Sequence, residues 1–110
     1  MAWAGLSGPS RASTKLYDRS QSMTESRANA YVSRALDYYH LGQPQRAIEE
    51  TNAAIRLNPE NSFAYYVQAL AYTALGQDQE AELNVARVQE LGGDAASLRV
   101  AIEALKKQHQ

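Results

Sequence analysis

Side chains able to do chemistry are sparse in this sequence of 110 residues. A bound metal or an acid–base pair needs donors that converge. The imidazoles are His40, just ahead of a Gly-Gln-Pro turn, and His109, next to the end of the chain. Two histidines at i and i+4 would share a helix face and could chelate a metal; these two cannot. Cysteine is absent, which removes thiolate nucleophiles, disulfides, cysteine zinc sites and a lipid-anchor cysteine. The carboxylates Glu49, Glu50, Glu80 and Glu82 sit in polar helical stretches, and nothing around them in sequence suggests the burial that would raise a pKa. No glycine-rich phosphate loop, nucleophile elbow or Ser-His-Asp order is present. The reading is therefore non-enzymatic, with no catalytic, metal-binding or cofactor residue expected.

Charge narrows the partners. Eleven basic and twelve acidic side chains leave a formal charge of -1, so there is no electrostatic footprint for nucleic acid or an anionic membrane surface. No run approaches the roughly 18 apolar residues that span a bilayer, and the first residues lack the charged-then-apolar build of a secretory signal. A soluble chain with no membrane insertion is expected. The cytoplasm is favoured, and the periplasm or secretion stays open if a leader has been removed. With 45% apolar and 21% charged residues the chain should fold, as one domain.

The elements that could position any site emerge from self-comparison. Shifted by 34 positions, residues 28–61 and 62–95 match at 11 places, where ordinary residue frequencies give roughly two. The matches include Tyr31/Tyr65, Ala35/Ala69, Leu36/Leu70, Tyr38/Tyr72, Gly42/Gly76 and Ala47/Ala81. Within each unit Tyr, Ala and Tyr fall at i, i+4 and i+7, one face of a helix. Gly42 and Gly76 follow where a helix C-terminus needs positive φ, and Pro44 suits the first turn of the next helix. Second helices are predicted from about Pro44 to Leu57 and from Asp78 to Leu91, stopped by Asn58-Pro59 and Gly92-Gly93. Each unit is then a hairpin of two antiparallel helices.

A 34-residue helix hairpin has the period of the tetratricopeptide repeat. Tyr31, Ala35, Tyr38, Gly42, Ala47, Ala54 and Pro59 resemble that family's pattern closely. The second copy keeps Tyr65, Ala69, Tyr72, Gly76 and Ala81, with Val88 at the later small position and Gly93 at the proline. Arg34 and Gln68 stand where the family usually has a large aliphatic residue, which should loosen intra-repeat packing. The resemblance covers 68 of the 110 residues. It implies an all-α fold, an α-solenoid of two tetratricopeptide repeats (28–61 and 62–95, within 27–95) plus a C-terminal capping helix in residues 96–110.

That cap is read over residues 95–108, with Asp94 as N-cap and Leu98, Ile102 and Leu105 on its inner face. Residues 1–26 read either as a degenerate half-repeat helix starting near Pro9, with Leu16 and Tyr17 turned inward, or as a disordered tail rich in Ser, Gly and Pro. Two hairpins are fewer than the three or so repeats usually needed for stability, so something must cover the first repeat's flank. The candidates are this N-terminal segment, a second copy of the chain, or a neighbouring repeat.

The resemblance also places function. In such repeats the first helices line a concave groove that receives peptides or helices of other proteins. The groove positions implied here are Asn29, Val32, Ser33, Leu36 and Tyr39, then Phe63, Tyr66, Val67, Leu70 and Thr73. The set is apolar and aromatic. Only Asn29 could serve a clamp for a C-terminal carboxylate, so recognition by shape is expected, with Tyr39 and Tyr66 as anchors. A packing role competes at the matched Leu36 and Leu70. The function expected is protein–protein interaction, in scaffolding or assembly. The alternative is self-assembly into a homodimer or oligomer through the repeat flanks or the N-terminal segment.

Overall fold

The computed structural model describes residues 22–108, and these fold into helices joined by short turns. Helix α1 is described over residues 22–40. It is followed by α2 (Pro44–Leu57), α3 (Ser62–Ala74), α4 (Asp78–Glu90) and α5 (Ala95–Gln108). The helix expected near Pro9, with Leu16 and Tyr17, lies outside the described residues. In register Ser62 corresponds to residue 28, so α1, already helical at residue 22, begins earlier than α3 does.

The turns show why the units repeat. Gly42 and Gly76 adopt the same φ of 77°, which side chains with a Cβ rarely adopt. Each lets the next amide reach back over the helix end: Gln43 N–H donates to Tyr38 O and Gln77 N–H to Tyr72 O, both at 2.9 Å. The same closure ends α4, where Gly92 has φ 80° and Gly93 N–H donates to Val88 O at 2.8 Å. Gly93 is needed for a second reason: a Cβ there would stand 2.8 Å from Val88 Cγ1. Helix α2 ends differently, with Asn58 extended ahead of Pro59, as the proline ring demands.

Starts are chemically varied. Pro44 opens α2, where its missing N–H costs nothing. Asn61 caps α3, its Oδ1 accepting from Phe63 N–H and Ala64 N–H. Asp94 caps α5, accepting from Ser97 N–H at 3.0 Å and Ser97 Oγ at 2.7 Å. These bonds favour the charged carboxylate and hold Asp94 below its ordinary pKa, the Ser97 amide contributing most.

Packing is serial. Helix α3 lies against α2, α4 and α5, and α4 also meets α5. One core cluster joins Ala28, Val32, Ala35, Ala47, Ile48 and Ala54 with Ala64, Val67 and Ala71 of α3. A second joins Ala69, Leu70, Val85 and Val88 with Ala95, Leu98 and Ile102 of α5. Helix α3 therefore feeds both clusters, and α5 closes the second. Leu98, fully buried, anchors that closure; burying a leucine contributes about 1.5–3 kcal/mol. Arg99 reaches Glu82 on α4 at 3.3 Å from the cap's outer side.

At position 68, where looser packing within the unit is expected, the structure shows a polar contact between units. Gln68 is buried, and its Nε2 donates to Thr51 Oγ1 at 2.9 Å and Asn52 Oδ1 at 2.7 Å across the junction between units. Thr51 in turn donates to Ile48 O at 2.9 Å. A satisfied polar bridge thus replaces the aliphatic contact. Position 34 behaves otherwise: Arg34 is exposed and reaches Glu50 at 3.5 Å. Glu50 is less solvated than its helical context suggests, and its Oε2 is buried without a hydrogen-bond partner.

Candidate interaction face

The first helices α1 and α3 carry the ten positions implied as groove-lining, and the structure divides them. Val32, Val67, Leu70 and Thr73 are buried by the protein's own helices. Val32 and Val67 belong to the first cluster, and Leu70 lies in the second cluster with Leu98 and Ile102 of α5. Thr73 turns its hydroxyl back onto Ala69 O at 2.9 Å, within its own helix. The physical reason is geometric: small residues such as Ala35, Ala64 and Ala71 bring the helices so close that the rows beside them are consumed by packing. These four positions offer no surface to a partner.

The other six remain reachable to different degrees. Asn29 and Ser33 are exposed on α1, and Phe63 is 55% exposed on α3. Tyr66 is half-buried and stacks on Phe63, with ring centroids 5.8 Å apart and planes inclined by 25°. Asn29 Oδ1 accepts from Asn61 Nδ2 at 2.9 Å, so the residue that caps α3 is tied to α1 beside this ring pair. The two first helices are thereby joined at the start of the aromatic shelf. A side-chain amide engaged in this way is poorly placed to clamp a carboxylate.

Tyr39 and Leu36 lie further along α1. Leu36 packs against the first cluster and Tyr39 against both, its ring meeting His40 edge-on at 5.5 Å. Partial burial pushes the Tyr39 phenol above its ordinary pKa, because the phenolate would lose water there. At neutral pH it is a neutral donor on an apolar body, the form suited to an interface.

The tyrosine stripe that recurs in both units is structural in three of four places. Tyr38 and Tyr72 pack on the first cluster, and Tyr65 packs on the second while its hydroxyl donates to Pro59 O at 3.0 Å. Tyr31 departs from this pattern and stays 36% exposed. It borders a groove of about 670 Å³ between α1 and α2, with Arg27, Arg34 and Arg56 around it. Sequence reasoning passed over this groove. The signal available was the triplet of arginines at positions where the second unit has Asn61, Gln68 and Glu90.

Among the described residues no group of three metal-ligating side chains comes together, and no helix is long and apolar enough to cross a membrane. Glu49, Glu80 and Glu82 are exposed, as is His40.

Comparison with known proteins fits this architecture. A family model described as anaphase-promoting complex, cyclosome, subunit 3 matches residues 11–88. A serine/threonine-protein phosphatase T of Trypanosoma brucei brucei is 30% identical over 78 residues, which are 71% of this chain and 16% of that protein. The chain thus spans about a sixth of the length of this relative. No solved structure matches.

Proposed function

The chain belongs to the family of anaphase-promoting complex (cyclosome) subunit 3, a family of tetratricopeptide-type repeats and so of protein–protein interaction modules, and from that premise we propose that it holds a segment of another protein against the first helices of its repeats. The observation that carries this reading is the stack of exposed Phe63 on half-buried Tyr66, next to the Asn61–Asn29 hydrogen bond. Exposed aromatic rings held rigid by stacking are efficient anchors, because little side-chain freedom is lost when a partner covers them. The partner is a peptide or helix read by shape and apolar contact. Tyr39 adds a hydroxyl at the far end of the face, and Leu36 adds apolar edge. The role is scaffolding or assembly. The name of the family's subunit places that protein in a complex; for this chain we carry over only the holding of a partner. The phosphatase activity named for the relative is not carried over, since the match covers 16% of that protein.

A double variant, Phe63→Ala with Tyr66→Ala, tests the reading. Aromatic anchors of this type are worth about 2 kcal/mol or more, roughly 30-fold in affinity. Proteins retained by the intact chain in a pull-down should be lost from the variant while its far-ultraviolet circular dichroism is unchanged. Equal retention by both chains would move the binding surface elsewhere.

Self-assembly through the repeat flanks is the second reading; the exposed Tyr31, which no described helix covers, favours it, and the arginines around that ring oppose it. Light scattering across a concentration series separates the two, because only self-assembly predicts a mass above the monomer that rises with concentration.

A further inference from the structure

The groove at Tyr31 lies on the N-terminal flank of the first unit, a different face from the Phe63–Tyr66 shelf. Its floor is Ala30, Tyr31, Ala53 and Leu57. Its rim is Arg27, Arg34 and Arg56. Arg34 pairs with Glu50 at 3.5 Å, and the nearby Tyr38 hydroxyl and this carboxylate favour its protonated form. Arg27 and Arg56 form no ion pair among the described residues.

The molecule contains its own answer to what such a face receives. One repeat later the same register holds Ala64 and Gln68, and both are buried beneath helix α2. Gln68 there donates to Thr51 and Asn52, a hydroxyl and a neutral amide on that helix. In the first unit the equivalents Ala30 and Arg34 are exposed, so the helix-receiving face is formed and no described helix covers it. Its chemistry has changed sign, however. Arginine replaces Gln68, arginine replaces Glu90 and arginine replaces Asn61. A guanidinium set into a helix-packing face is best satisfied by a carboxylate, which it binds through charge-assisted and often paired hydrogen bonds.

We propose that this flank is a docking surface for an acidic amphipathic α-helix of a partner protein, seated as α2 is seated on α3, with a carboxylate at the place of Asn52 meeting Arg34. Arg27 and Arg56 attract further carboxylates at its edges, and the apolar floor takes a small-residue ridge. Charge argues against a second copy as the occupant. Pairing the flank with itself sets three guanidiniums against three. Stacking it on the α5 end of another copy meets Arg99, Lys106 and Lys107 of that helix, where Glu82 already holds Arg99 and Glu103 already holds Lys106. Both arrangements oppose like charges. The proposal stands independently of the aromatic shelf.

The template supplies the probe. Two stapled peptides of the α2 sequence Pro44–Leu57 are compared, one unsubstituted and one carrying N52D, by fluorescence anisotropy with the full chain at low salt. The N52D peptide should bind roughly tenfold tighter, the difference between a charge-assisted and a neutral contact, and added salt should shrink the gap. In the R34Q chain, which restores the second unit's chemistry, the preference should vanish or reverse. The R56E chain should weaken the N52D peptide selectively. Circular dichroism checks that both variants remain helical. Equal affinity of the two peptides, or no binding by either, overturns the proposal. A dimer in light scattering that dissociates in R34Q would also overturn it, by making a second copy the occupant.

Discussion

The two repeat units carry the same pattern and meet different fates. In the second unit Ala64 is fully buried and Gln68 nearly so, since α2 covers that flank and α5 covers the other. In the first unit Ala30, Tyr31 and Arg34 occupy the same register and stay exposed. The hairpin fold alone therefore does not decide burial. A neighbouring helix does, and the side chains record the difference: a neutral amide where a helix is present, a guanidinium where no described helix lies. In a stacked array each unit is only as stable as its neighbours make it.

The comparison can be broken most strongly at the closed end. Leu98→Ala removes the buried anchor of α5 and should cost about 2–5 kcal/mol in a denaturant titration, leaving the second unit as open on that side as the first is on the other. A cost no larger than that of a surface substitution would mean that α5 does not close the array in solution.

Position 34 against position 68 sharpens it next. Gln68→Ala deletes the bridge to Thr51 and Asn52 and should cost about 1–3 kcal/mol. Arg34→Ala, at the same place in the pattern, should cost less than Gln68→Ala, because the Arg34 side chain is itself mostly exposed and what it loses is one partner of the half-buried Glu50. Equal losses would show that the first flank is already covered in solution.

The smallest effect concerns pH at the cap. Asp94 has its folded pKa depressed by the Ser97 amide and hydroxyl. Its contribution is therefore present above the unfolded value of about 3.9 and is lost as pH falls through the lower folded value. Amide exchange in the first turn of α5 should quicken over that acidic window in the native chain. In Asp94→Asn, which keeps a capping oxygen that does not titrate, the window should flatten. Identical acid profiles would remove the carboxylate from the account.

Much of the fold was legible in the residues because the signals were local. Gly42 and Gly76 marked positive φ, Asn58-Pro59 marked an extended stop, Asp94 marked a cap, and Leu98 with Ile102 marked the buried face of the last helix. Each depends on a few adjacent residues and elementary sterics. The face proposed for interaction was legible only in part. Asn29, Ser33, Phe63 and Tyr66 present surface, whereas Val32, Val67, Leu70 and Thr73 do not. Helical periodicity states which residues share a stripe. It does not state how much of that stripe the neighbouring helix consumes.

From the sequence by itself came the stride of 34 residues, the hairpins and their order, because turn chemistry and helical spacing act within a few residues of one another. Only the tertiary structure decided which copy of each repeated residue is buried. Burial of Gln68 and exposure of Arg34 follow from the presence of α2 against one and no described helix against the other. Contact between helices is set by their separation and crossing, which depend on the volumes of many side chains at once.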